Sequence, residues 1–194
     1  MMYRCLIANR GEIAVRIIRA CRELNIETVA IYAKGDENSL HVSLADQAIC
    51  IGEANPLDSY LNIDRIISAA KVTESNVIHP GYGFLSESTN FAKAVEDNHI
   101  HFIGPSKTTM EMMGDKITAR QTVKQAGVPV IPGSNDAVQS VDEIKLLSKE
   151  IGFPVVLKAA SGGGGKGIRI VKEASHLDQA LKEAKSEGQK YFND

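Results

Sequence analysis

The sequence predicts an α/β chain: a doubly wound parallel sheet followed by a smaller, partial α+β unit. Three observations carry that reading. Short apolar strand-like runs alternate with helical stripes over residues 1–114, and a proline-punctuated segment, VPVIPGS (128–134), breaks the rhythm. Beyond it, two strand-like runs flank a glycine run with helical patterns on either side. Strands alternating with crossover helices mean a parallel sheet; a hairpin with helices does not.

Each element has its own signal. RCLIA (4–8) is a short apolar run, and Ala14, Ile17, Ile18, Cys21 and Leu24 then repeat at helical spacing. ETVAIY (27–32) and AICIG (48–52) read as buried strands, and Ile63, Ile66, Ile67 and Ala70 as a helical stripe. NVIHPG (76–81) is a strand stopped by Pro80 and Gly81, followed by a helix over 87–98 and a strand at IHFIG (100–104). A helix capped by Asp115 and a linker fill 115–134. Ser140 and Glu143 form a capping box ahead of Ile144, Leu147 and Ile151. FPVVLKAA (153–160) and KGIRIVK (166–172) are strands, and Ser175 with Asp178 is placed to cap a last helix carrying Leu177, Ala180, Leu181 and Ala184. The second unit, 135–194, makes a thin core and reads as part of a longer protein.

Composition narrows the function. A net charge of −2 and a pI near 6.2 give no basic footprint for nucleic acid or anionic membrane. No apolar run reaches the ~20 residues that span a bilayer, and the N-terminus lacks a signal-peptide core. Three cysteines with no CxxC spacing predict reduced thiols and a cytoplasmic protein.

Five of the 16 glycines lie between Gly162 and Gly167, so the chemistry is sought there. A dinucleotide fingerprint requires a helix directly after the glycines, and IRIVK is a strand. The Walker loop requires Gly-Lys followed by Ser or Thr, and Gly167 follows Lys166. What remains is strand, glycine loop, strand: a flap whose bare amides can approach phosphate, with Lys158 on the strand before it. A plain linker is the bland alternative, which two β-branched flanking strands disfavour. The first turn, ANRGEIA, has one glycine where a dinucleotide site has three, so Asp36 reads as a loop cap and not as a ribose ligand.

Several segments in unbroken order then carry a resemblance: IANRGEIAVRIIRAC (7–21), HPGYGFLSE (79–87), FIGPS (102–106), MGDK (113–116), AGVPVIPGS (126–134) and FPVVLKAASGGGGKGIRIV (153–171). Together they resemble the biotin carboxylases of the ATP-grasp superfamily. FPVVLKAASGGGGKG is also similar to the ATP-binding signature of carbamoyl-phosphate synthetase. The resemblance implies a Rossmann-like domain (1–114) and a truncated ATP-grasp subdomain (135–194). It implies an ATP-dependent ligase that activates bicarbonate as carboxyphosphate and carboxylates biotin on a carrier.

Residue by residue, the resemblance implies nucleotide-phosphate ligands at Lys116 and Lys158, and a lid at Gly162, Gly163, Gly164, Gly165, Lys166 and Gly167. It implies an adenine pocket flanked by Val156 and Ile168, a biotin-facing loop at Tyr82 and Gly83, and a homodimer contact at Arg19 and Glu23. His79, next to Pro80 at a strand end, reads as a buried, satisfied core histidine, with a direct catalytic role as the alternative. The resemblance places the Mg²⁺ ligands, bicarbonate arginine and catalytic glutamate outside this sequence, so no catalytic or metal residue is assigned within it. Implied partners are the biotin carboxyl carrier protein or domain, a carboxyltransferase and a second copy of the chain. Acyl-CoA carboxylation in fatty acid biosynthesis is one setting, with pyruvate and urea as other acceptors; the carboxyltransferase decides. A different ATP-grasp ligase and a non-catalytic nucleotide-binding module remain as alternatives.

Overall fold

In the computed structural model, which describes residues 3–158 and 167–192, the chain forms two compact units, Met1–Met110 and Glu111–Asp194. The first is built on five parallel strands: β1 (Arg4–Ile7), β2 (Glu27–Ala33), β3 (Gln47–Gly52), β4 (Val77–His79) and β5 (His101–Phe102). Their order is β3-β2-β1-β4-β5. The chain steps outward from β1 to β3, then returns to the other side of β1, so the direction of winding reverses between β1 and β4.

Strand alternation divides the core. Cys5, Ile7 and Val77 point to one face, where they meet Ala14, Ile17, Ile18 and Cys21 of α1 (Gly11–Glu23). Leu6, Val29, Ile31 and Ile78 point to the other. There they meet α3 (Ile63–Val72) and α4 (Thr89–Asp97), after the short α2 (Leu40–Leu44) on the chain path. Leu24, the last member of the predicted α1 stripe, follows the helix and is exposed. Asn62 caps α3 by accepting from the Arg65 N–H (3.1 Å), and Ser88 caps α4 by accepting from the Phe91 N–H (3.2 Å). The latter fixes the start of α4 two residues beyond the expected Glu87.

In the second unit, α5 (Lys107–Gly114) crosses the boundary and α6 (Lys116–Gln125) follows. The Asp115 carboxylate caps α6 by accepting from the Thr118 N–H at 2.7 Å. α7 (Val141–Ile151) opens on half of the expected capping box: Ser140 accepts from the Glu143 N–H, but Glu143 reaches past the cap residue to accept from the Gln139 N–H. β6 (Val155–Lys158) and β7 (Ile168–Val171) pair antiparallel. Val155, Leu157 and Val171 pack onto Ile144 of α7 and onto Leu177, Ala180 and Leu181 of α8 (Leu177–Phe192). Ser175 does not cap α8. It lies inside a 3-10 turn, Ala174–His176, that leads into the helix, and Asp178 pairs with Lys182 one turn on.

No helix among the described residues is long and apolar enough to cross a membrane, and Cys5, Cys21 and Cys50 are free thiols.

Candidate functional site

Open α/β sheets bind ligands outside the carboxyl ends of their strands, where the winding reverses. Here that place lies beyond β1 and β4. It holds a cleft of about 310 Å³ lined by Asn9, Arg10, Ile13, Tyr82, Gly83 and Phe84. The predicted Tyr82 and Gly83 therefore sit in the wall of a cleft, with Tyr82 62% exposed.

The turn after β4 is unusual backbone. Gly81, Gly83 and Phe84 all have positive φ (67°, 64° and 42°), a region that a phenylalanine occupies only when its surroundings compel it. The compulsion comes from side chains of other segments. The Asn9 side-chain amide donates to the carbonyls of Pro80 and Tyr82, both at 2.8 Å, and its oxygen accepts from the Arg10 N–H. His79 Nδ1 accepts from the Gly81 N–H at 3.0 Å. The Phe84 ring stacks on Tyr60, centroids 5.2 Å apart, with the Arg10 guanidinium 5.1 Å from the Tyr60 centroid and 5.8 Å from that of Phe84. Tyr82 Oη donates to Glu12 at the start of α1 (3.0 Å).

Asp36 is not the loop cap expected of it. Its carboxylate accepts from Arg10 Nη1 (3.0 Å) and from the buried Tyr60 hydroxyl (2.7 Å). It thus fixes the guanidinium over the two rings. Burial pushes this carboxyl up, and the Tyr60 and Arg10 hydrogen bonds outweigh it, leaving it below the usual carboxylate range. Burial, with the Asp36 hydrogen bond, pushes the Tyr60 hydroxyl well above the usual phenol value.

Two imidazoles support the same unit. His41 is fully buried with Nε2 3.2 Å from the Ile31 carbonyl, so Nε2 carries the proton; among the described residues Nδ1 has no partner. Desolvation depresses the pKa of both His41 and His79. The folded state therefore holds fewer protons than the unfolded chain below the ordinary imidazole value of about 6.5. The stability contribution is full above that pH and is lost as the pH falls below it. The first unit should melt at a lower temperature at pH 5.5 than at pH 7.5 by calorimetry. The depressed Asp36 and Asp46 carboxyls act in the same direction but at lower pH. Equal or higher stability at pH 5.5 would contradict this reading.

Arg19 and Glu23 lie exposed on α1 and form no ion pair with each other; Glu12 and Arg16 do, at 3.6 Å. Arg19 instead lines a wider cleft of about 500 Å³ with Arg16, Ser39 and His41.

In the second unit the hairpin register sorts the predicted nucleotide residues. Lys158 is opposite Ile168 and Val156 is opposite Ile170, so these four share the face turned away from α7 and α8. Val156 is 60% and Ile170 68% exposed, and Lys158 is exposed too. An open apolar face bearing one ammonium suits a flat aromatic ring with an attached anion. Gly167, at the end of the glycine run, donates its N–H to Glu187 (2.9 Å), and the same carboxylate pairs with Arg169. Gly162, Gly163, Gly164, Gly165 and Lys166 lie outside the described residues. Lys116 is the first residue of α6. No group of three or more His, Cys, Asp or Glu among the described residues is arranged to hold a metal ion.

The first unit is thus a doubly wound α/β domain with a cleft where its winding reverses, and the second is an α+β unit with an open, lysine-bearing hairpin face. The family model described as "Biotin carboxylase, N-terminal domain" matches residues 1–110, and "Carbamoyl-phosphate synthase L chain, ATP binding domain" matches residues 115–194. The chain belongs to the biotin carboxylase family. It is 52% identical over 192 residues to biotin carboxylase 1 of Bacillus subtilis, covering 99% of this chain and 43% of that protein. It is 48% identical over its whole length to the biotin carboxylase of Haemophilus influenzae, again 43% of that protein. Among solved structures it is similar to a Campylobacter jejuni biotin carboxylase complexed with β-γ-ATP (TM-score 0.91, 47% identity, all of this chain and 44% of that one). It is also similar to the biotin carboxylase domain dimer of Hydrogenobacter thermophilus 2-oxoglutarate carboxylase, complexed with MgADP, ADP and bicarbonate (TM-score 0.87, 49% identity, 42% of that chain). The chain thus spans less than half the length of the relatives it matches.

Proposed function

We propose that this chain is the N-terminal part of an enzyme that uses ATP and bicarbonate to carboxylate biotin, through carboxyphosphate. The observation that carries the proposal is the near-50% identity running through both units, so the biotin-side turn and the nucleotide hairpin stay in one frame. The ATP, MgADP and bicarbonate in the related structures support the same chemistry.

In this reading the chain contributes positioning and charge, which is most of what phosphoryl transfer asks of a protein. Val156 and Ile168 flank the adenine. Lys158 and Lys116 neutralise phosphate oxygens, and Gly162–Gly167 cover them. Tyr82 and Gly83 present the wall against which the biotin ring lies. Mg²⁺ would neutralise phosphate charge, but the described residues offer it no cage, so its ligands are assigned to the rest of the enzyme. The domain division follows: 1–114 as the biotin-side domain, 115–134 as helix and linker, 135–194 as part of the ATP-grasp fold. Arg19 and Glu23 are assigned to a homodimer contact, consistent with the dimeric Hydrogenobacter structure. A biotin carrier and a carboxyltransferase are the proposed partners. The proposed setting is the cytoplasm, with acyl-CoA carboxylation, as in fatty acid biosynthesis, one of the acceptor reactions among which the carboxyltransferase decides.

The test is ADP release by the full-length enzyme. ADP should form only with bicarbonate, faster with free biotin, and labelled bicarbonate should appear in carboxybiotin. Bicarbonate-dependent ADP release that ignores biotin and yields carbamoyl phosphate with ammonia would overturn the assignment.

A further inference from the structure

The turn Pro80–Phe84 is held by residues that no part of the functional reading has used. Asn9 is 3% exposed and spends its whole amide on backbone: two donated hydrogen bonds to Pro80 and Tyr82, and one accepted from Arg10. The two carbonyls it holds lie on either side of Gly81. A Cβ on Gly81 would lie 2.8 Å from Asn9 Nδ2, so side chain and turn are in direct register. On the far side, Asp36 fixes Arg10, and Arg10 lies over the stacked Tyr60 and Phe84 rings. Asn9 and Arg10 thus grip both ends of the segment that contains Tyr82 and Gly83.

We propose that Asn9 is a positioning residue for biotin: its side-chain amide sets the Tyr82–Gly83 wall, and Arg10, held by Asp36, clamps that wall at Phe84. This rests on the reading that Tyr82 and Gly83 face the biotin ring. The chemistry needs an amide at position 9. Aspartate has the same shape but offers only acceptors to two carbonyls, and alanine leaves carbonyls buried without donors. A wall displaced by a fraction of an ångström weakens ground-state and transition-state contacts alike, which raises KM for the substrate on that wall.

The experiment is a double-mutant cycle in the full-length enzyme with free biotin as substrate, using Tyr82→Ala, Asn9→Asp and the pair. Asn9→Asp is expected to raise KM for biotin about tenfold and move KM for ATP by less than about twofold, a split that a general loss of structure does not produce. In the Tyr82→Ala background the same substitution should add less than about threefold, because it acts through a ring already removed. Full multiplication of the two effects, or an equal rise in KM for ATP, would overturn the positioning role. If Tyr82→Ala leaves KM for biotin unchanged, the biotin-facing reading itself fails, and the inference with it. Should Asn9→Asp fail to fold, the wild-type 194-residue chain decides by NMR. The Asn9 side-chain amide protons should exchange slowly with solvent and show contacts to the Pro80–Tyr82 backbone; rapid exchange without those contacts would overturn the proposal.

Discussion

Replacing Lys158 by alanine in the full-length enzyme is expected to raise KM for ATP about 10- to 100-fold and to leave KM for bicarbonate nearly unchanged. The substitution removes a charge-assisted contact to a phosphate, worth ~1.5–3 kcal/mol. Lys158 lies exposed on the open hairpin face beside Val156 and Ile168, where an ammonium keeps its hydration until a ligand displaces it. Its loss should therefore leave the fold intact and fall on nucleotide binding. Equal increases in both constants would remove Lys158 from the phosphate site.

Phe91→Ala should produce a large loss of stability in the first unit. Phe91 is fully buried on α4 and meets Phe102 of β5 edge-on, centroids 5.9 Å apart. Removing it costs the transfer energy of the ring and opens a cavity between helix and sheet, about 3–5 kcal/mol together. For a unit of this size that lowers the melting transition by more than about 10 °C. Scanning calorimetry of the 194-residue chain measures it, and a drop below about 3 °C would mean that the space closes around the missing ring.

The sheet was legible because its strands are apolar on both faces. Cys5, Leu6 and Ile7 are all buried, as are Val29, Ala30 and Ile31, which is what a strand covered by helices on both sides requires. The short α2 was not legible: Leu40–Leu44 carries no apolar stripe, and its one buried side chain is His41. The cap expected of Ser175 gave way because a 3-10 turn precedes α8. Within the candidate site, the glycines and lysines stood out by clustering and by motif. The residues that shape the cleft did not. Asn9 and Tyr60 are distant in sequence from Pro80–Phe84; Asn9 meets it because β1 and β4 are neighbours across the reversal in winding, and Asp36 reaches it only through Arg10 and Tyr60. Asn9 left one signal, an amide residue directly after a buried strand. Tyr60 left none, since an isolated tyrosine before a helix cap resembles any surface aromatic.

On the proposed function, nucleotide binds the open face of the hairpin and not the cleft of the first unit. Titrating the labelled 194-residue chain with MgATP while following backbone and methyl NMR shifts tests it directly. An exposed face with no metal cage among the described residues should bind with a Kd of about 1 mM, near −4 kcal/mol, since the ordering cost is met by few contacts. The shifts should gather on Val156, Lys158, Ile168 and Ile170. Shifts centred on Asn9, Tyr82 and Phe84 instead, with the hairpin silent, would place the nucleotide in the first unit and overturn the hairpin assignment.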